Sequence, residues 1–180
     1  MARKRRPPRN DIRLEVVDRH NRPMAVFPRT LVHDQKLLHR RVVVLLYNRH
    51  KKLYLQQRSQ KRLIFPGCWD VSVSGHVQAG ESCLEAALRN LRDEIGVTLT
   101  RLRTVNQLNP GHVSGHEFVT LFSTGPCDQV PAPNPADVAK GLFVEKHEFD
   151  YLVKSFEHLL TPALLAFWRL GRLFSGVSAY

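Results

Sequence analysis

Within the segment GHVQAGESCLEAALRNLRDEIGV a glycine, a glutamate, an arginine and an acidic pair stand at fixed intervals, at Gly75, Glu81, Arg89, Asp93 and Glu94. Adjacent carboxylates repel unless a cation or an arginine offsets their charge, and hard divalent ions take oxygen ligands of this kind. Magnesium, or manganese in its place, held against a diphosphate is the chemistry this grouping points to. The plainer reading is a solvated helix surface, on which Glu85 and Arg89, four apart, form an ion pair worth roughly 0.2–0.5 kcal/mol.

The segment also carries the signals of the element that must position those groups. Ser82 followed by Glu85 is a capping box, and Gly96 suits the position just beyond a helix C-terminus, which predicts a helix over 82–95. At ~100° per residue, Leu84, Leu88, Leu91 and Ile95 fall on one side, while Asn90, Asp93 and Glu94 fall nearly opposite. The expectation is one face in the core and one acidic face.

The spacing resembles the Nudix box: Gly, five residues, Glu, seven residues, then Arg-Glu-U-x-Glu-Glu-x-Gly-U, with U aliphatic. Gly75, Glu81, Arg89, Leu91, Glu94, Gly96 and Val97 match outright, and Asp93 is a conservative match. Asn90 stands where the family has a carboxylate. The resemblance implies an α/β fold, the Nudix α/β/α sandwich with a mixed sheet, over roughly 11–174. Upstream, RSQKRLIFPGCWDVSVSGHVQAGE is similar to the subgroup that contains isopentenyl-diphosphate isomerase and its hydrolase relatives. In that subgroup Arg58 and Arg62 match basic positions that hold a diphosphate, Trp69 matches an active-site wall, and His76 follows the box glycine.

The isomerase reading requires a cysteine acid/base immediately before the box glycine, and Ser74 stands there. A hydroxyl is a much weaker acid than a thiol, whose pKa lies near ~8.5. The isomerase metal is held by three histidines and two glutamates. His39, His76 and Glu117 fall at matching positions, His33 is displaced by one residue, and Gly115 occupies the remaining glutamate position. His39 and His76 are therefore candidates for a second metal site, expected to be incomplete.

A hydrolase needs a divalent ion to neutralise the diphosphate, basic groups to position it and a base to orient water. The candidates are Asp93, Glu94 and the carbonyl of Gly75 for the metal, Arg58 and Arg62 for phosphate, and Glu81 with Arg89 as a structural pair. Glu117, before Glu145, is the further glutamate that such enzymes draw from a later strand or loop. Asn90 can ligate through its amide oxygen but carries no charge and accepts no proton at neutral pH. A catalytically weak diphosphate-binding module with the same fold is the alternative this leaves open.

The chain has 180 residues and a formal charge of +11, enough for one domain with a sizeable core and too few for two ordinary ones. The start, MARKRRPPR, packs five basic residues and two prolines and reads as a disordered tail over 1–10 before a single domain over 11–180. Contact of this tail with nucleic acid stays open. The apolar run at 42–47 is too short to span a bilayer. Cys68, Cys83 and Cys127 are odd in number and lack metal spacing, which fits a reducing cytoplasm. No residue pattern sets an oligomeric state.

Alternation at Ile12, Leu14 and Val16, with turn character at 18–23, predicts an opening hairpin. Strands over 41–47 and 52–57 flank NRHK as a second hairpin whose first strand is apolar enough to be central. Further strands are expected over 69–74, 97–105, 117–122 and 142–144, a loop over 126–135, and helices around 148–155 and 162–174. Phe65, Trp69 and Phe118 are the aromatics available to cover a ligand, or to fill core.

Overall fold

A computed structural model describes residues 12–112 and 114–174, so the basic segment at 1–10 and the tail role expected of it lie outside the described residues. Strand β1 (Arg13–Val17) pairs antiparallel with β2 (Pro23–Pro28), and helix α1 (Arg29–Asp34) follows. The chain continues through β3 (Arg40–Asn48), β4 (Leu53–Arg58), β5 (Trp69–Asp70), β6 (Val73–His76), α2 (Cys83–Ile95), β7 (Arg103–Leu108), β8 (Phe118–Cys127), β9 (Val138–Val144), α3 (Lys146–Phe156), a 3-10 turn (Glu157–Leu159) and α4 (Pro162–Arg169).

β3 is central because both of its faces are apolar. Val42, Val44 and Leu46 pack with Ala86, Leu91 and Ile95 of α2, while Val43, Leu45 and Tyr47 pack with Phe149 of α3 and Leu164 of α4. Alternation along one strand thus feeds two cores, and the result is the expected α/β/α sandwich. The sheet is mixed: β3 runs parallel to β8 and antiparallel to β4 and β6, β4 also carries β5 and β9, and β7 closes the edge on β8.

β3 and β4 pair only at Tyr47 and Leu53, beside their turn. There Asn48 Oδ1 accepts from the backbone N–H of His50 and Lys52, at 2.9 and 3.0 Å. Beyond it the strands part. Ser72 Oγ fills the gap, donating to the Tyr54 carbonyl at 2.5 Å and accepting from Leu46 N–H at 2.9 Å. This insertion breaks the strand expected over 69–74 into β5 and β6, and frees the first half of β3 to pair with β6.

Helix α2 has both halves of its capping box, Glu85 N–H to Ser82 Oγ at 3.2 Å and Ser82 N–H to Glu85 Oε2 at 2.8 Å, and Gly96 ends it at φ 70°. Its faces differ from expectation. The buried stripe is Ala86, Ala87, Asn90, Leu91, Glu94 and Ile95, whereas Leu84 is 38% exposed. Ala86 and Ala87 lie against the sheet and set the covered face, which turns Asn90 and Glu94 inward with the apolar residues rather than opposite to them.

Other boundaries also move. Val97 N–H bonds to the Leu91 carbonyl at 3.3 Å as part of the helix cap, so β7 starts at Arg103 and not at 97. β8 runs to Cys127, β9 begins at Val138, and α4 stops at Arg169, after which Gly171 takes φ 66°. Among the described residues no helix is long and apolar enough to cross a membrane.

Leu45 is fully buried beneath α3 and α4. Leu45→Ala is expected to lower stability by about 2–5 kcal/mol, read in urea unfolding as a lower midpoint with an unchanged slope.

Candidate active site and metal centre

The pairing of β3 assembles the site. Its register places Arg41 opposite His76 on β6 and beside Val119 on β8, and Phe118 N–H donates to the His39 carbonyl at 3.0 Å. His39, Arg41, His76 and Glu117 therefore meet at one end of the sheet. A cavity of about 360 Å³ opens there, lined by Arg29, Arg41, Arg58, Arg62 and Arg89 and by the carboxylates of Asp70, Glu94 and Glu117.

His33 also reaches this point. Its ring centroid lies 5.0 Å from that of His39 and 4.7 Å from that of His76, and a ligand atom from each of the three falls within 4.8 Å of the others. The displacement of His33 by one residue, together with Gly115 in a glutamate position, led to the expectation of an incomplete cluster. Helix α1 makes up the offset and brings it in. Gly115, at φ 67°, lines the cavity without a side-chain ligand atom.

The donor set fits a cation. His39 Nδ1 lies 2.8 Å from the Leu37 carbonyl, which can only accept, so Nδ1 carries a hydrogen and Nε2 is the ring atom left to face the cavity. That buried Nε2 lies 2.8 Å from Glu117 Oε1 but out of line for a hydrogen bond, and it has no other partner. A carboxylate oxygen at this distance calls for a positive charge on the imidazole side, which either a proton on Nε2 or a bound cation supplies. His76 Nε2 lies 3.2 Å from the same Oε1, and burial pulls the His76 imidazole down to about 4, neutral and ligand-ready at pH 7. Burial alone would push the Glu117 carboxyl up, but contacts with His39 and His76 and the charge of Arg41 outweigh it and hold it well below the usual carboxylate range. So firmly ionised a group is a poor proton acceptor and a good ligand. Three imidazoles and one carboxylate suit a first-row transition ion better than magnesium.

On the other side of the cavity, Arg89 grips Glu81 through two parallel contacts at 2.5 and 2.8 Å, and its Nη2 also reaches the His76 carbonyl at 3.1 Å. Asn90 is buried, donating to the Ala86 carbonyl at 2.8 Å and accepting from Arg89 Nη1 at 3.3 Å. It lies flat against Gly75, where an added Cβ would come within 2.4 Å of its Oδ1. Lack of space, not an unusual dihedral, makes this position glycine.

Glu94 is 1% exposed and lines the cavity, 3.5 Å from Arg62 Nη2 and 3.4 Å from Gln56 Nε2. Asp93 is not among the lining residues. It pairs with Arg92 at 3.2 Å on the outer side of α2, so the structure does not bring the two carboxylates together. Arg62 also contacts Asp137 at 3.3 Å. Arg58 donates to Asp70 at 2.9 Å, and the same carboxylate accepts from Thr161 Oγ1 at 2.8 Å, which ties α4 to the cavity wall. Trp69 packs against the core, with Lys140 Nζ 5.8 Å from its ring centroid. Phe118 lines a second pocket, away from these groups. Glu145 pairs with Lys52 at the start of α3.

Sequence reasoning missed Arg41, Asp70 and Asp137. Only their partners mark them, and those partners are distant in the chain. Arg41 donates to Ser74 Oγ at 3.1 Å and approaches Glu117 Oε2 at 3.4 Å.

The sequence profile of the NUDIX domain matches residues 37–163. An uncharacterized Nudix hydrolase of Pseudomonas aeruginosa is 36% identical over 87 residues, 48% of this chain and 52% of that protein. An isopentenyl-diphosphate Delta-isomerase of Pectobacterium atrosepticum is 30% identical over 158 residues, 85% of this chain and 84% of its own length. Among solved structures, DR0079 of Deinococcus radiodurans superposes with a TM-score of 0.73 at 27% identity, covering 86% of this chain and 96% of that one.

Gly75→Ala is expected to destabilise by about 1–3 kcal/mol through overpacking. Adding Asn90→Ala should recover part of the loss, a coupling that a thermal-unfolding double-mutant cycle would measure. After loading with Zn²⁺ or Mn²⁺ and desalting, elemental analysis should find about one tightly held ion per chain, lost in His39→Ala while the far-ultraviolet circular dichroism is kept.

Proposed function

The chain belongs to the Nudix family, and from that premise we propose that it is a divalent-metal-dependent hydrolase of a phosphoric anhydride in a nucleotide or related organic diphosphate. The observation that carries this reading is the cavity in which five arginines face three carboxylates, with Glu94 and the box glycine in its lining. Such a surface favours an anion of high charge density, and a bound divalent ion supplies the remaining neutralisation when phosphate oxygens and Glu94 share it. Glu94 and the carbonyl of Gly75 would hold that ion, with magnesium or manganese as the choice for oxygen ligands. A role for Asp93 at the ion requires its side chain to leave Arg92. Arg62 and Arg58 position phosphate, and Glu81 with Arg89 fixes the start of α2. We assign the cytoplasm, where the thiols of Cys68, Cys83 and Cys127 stay free.

The histidine centre favours a second reading, an isomerase acting on a diphosphate ester. Against it stands Ser74, whose hydroxyl accepts from Arg41 and offers no acid near neutral pH. Asn90 bears on rate: its amide bonds to the Ala86 carbonyl in a way a carboxylate could not, and the loss of an acid there is what a slow, binding-only module would show.

The test is a release assay over a panel of nucleoside di- and triphosphates and isopentenyl diphosphate, with and without magnesium. The wild type is expected to turn over at least one diphosphate with magnesium, and Glu94→Gln to lower kcat/KM by roughly 10²–10⁴-fold. Activity found only in Asn90→Glu would overturn the hydrolase reading in favour of a binding module, and isomerised ester without phosphate release would favour the isomerase.

A further inference from the structure

Alternation along β8 sends Glu117 and Val119 to one side of the sheet and Phe118 and Thr120 to the other. On β7, Gln107 stands directly opposite Thr120. The turn between β1 and β2 closes over this second face, and the two enclose a cavity of about 330 Å³ with Arg19, Asn21, Gln107, Asn109, Phe118 and Thr120 in its lining.

The turn is held rigidly. Asp18 Oδ1 accepts from the backbone N–H groups of His20 and Arg22 at 2.8 and 2.9 Å, and Arg40 reaches from β3 to the Asn21 carbonyl and Oδ1, both at 2.7 Å. Asn21 takes φ 61°, a conformation that asparagine tolerates. A wall fixed in advance leaves little ordering to be done when a ligand enters.

The cavity also carries unused bonding capacity. Thr120 is only 8% exposed, yet among the described residues its hydroxyl has no partner, and neither do the side-chain amides of Gln107 and Asn109. An enclosed hydroxyl is unfavourable unless something bonds to it. Arg22 and Arg40 are neutralised by Asp18 and Glu15, whereas Arg19 meets no carboxylate among the described residues. Its Nε donates to His20 Nε2 at 3.1 Å, which leaves its Nη groups for a ligand.

Each of these groups asks for a different part of one molecule. A primary amide presents a donor and an acceptor side by side and matches the edge of a nucleobase. The half-buried ring of Phe118 offers a stacking surface, and an unneutralised guanidinium suits phosphate. A sugar would leave Arg19 unanswered, and an inorganic anion would leave Phe118 and the amides idle. We propose that this cavity binds a nucleoside monophosphate, with the base against Phe118 between Gln107 and Asn109 and the phosphate at Arg19. Such a ligand has no anhydride to cleave, so the site stands whether or not the hydrolase reading does.

The test is a titration of the isotope-labelled full chain with AMP, adenosine and inorganic phosphate, followed on the side-chain amide resonances. Asn90, at the first cavity, is the internal reference. AMP should shift the Gln107 and Asn109 resonances saturably and leave Asn90 still, with adenosine and phosphate each binding at least ~10-fold more weakly. Thr120→Val removes the hydroxyl and should weaken AMP by ~3–10-fold, and Arg19→Ala by ~10-fold or more. Gln107→Ala, exposed on the edge strand, repeats the measurement on Asn109 without touching the core and should weaken AMP by about as much as Thr120→Val. Unchanged AMP affinity in Arg19→Ala and Gln107→Ala, shifts confined to Asn90, or phosphate bound as tightly as AMP overturns the nucleotide site.

Discussion

Everything at the site depends on the register of β3. Because successive side chains of a strand face opposite ways, a slip of one residue would exchange its two apolar sets and turn Arg41 away from His76. The register is held from both sides, by Val42, Val44 and Leu46 seated against α2 and by Val43, Leu45 and Tyr47 seated against α3 and α4. Packing that stabilises the sandwich thereby also fixes the distance between His39, His76 and Glu117. Stability and site geometry are here the same constraint seen at the middle and at the end of one strand.

The charges of the cavity are arranged in compensated groups. Arg58 meets Asp70, Arg62 meets Glu94 and Asp137, Arg89 meets Glu81, and Arg41 meets Glu117. Charges this far from water require such partners, since removing one member leaves the other unpaired. The pairs also restrict each guanidinium to a narrow set of orientations before any ligand arrives, so little ordering remains to be done on binding.

Much of the framework could be read from residue pattern alone. VVVLLY announced a strand buried on both faces, Ser82 with Glu85 and Gly96 marked both ends of α2, and turn residues located the two hairpins. What escaped did so for identifiable reasons. Helix α1 has six residues and no side-chain cap, too little signal to place His33. The inward face of α2 was assigned from its leucines, whereas Ala86 and Ala87 set how closely the helix approaches the sheet. Within the site, the box residues and the arginines after β4 were legible from spacing. The links from Thr161 to Asp70 and from Arg41 to Glu117 were not, because they join residues 91 and 76 positions apart.

That last separation bears on how the chain reaches its native state. Parallel pairing of β3 with β8 closes a loop of that size, and non-local closures of this kind are slow relative to hairpins and helices. The β1–β2 and β3–β4 turns and helix α2 can form from local contacts, while the histidine centre gains its Glu117 carboxylate only after β8 has docked. Until then one edge of VVVLLY lies open, a short uncharged β-prone segment of the type that pairs with other chains when exposed. The strand that makes the site accurate is thus also a segment open to misassembly until β8 covers it.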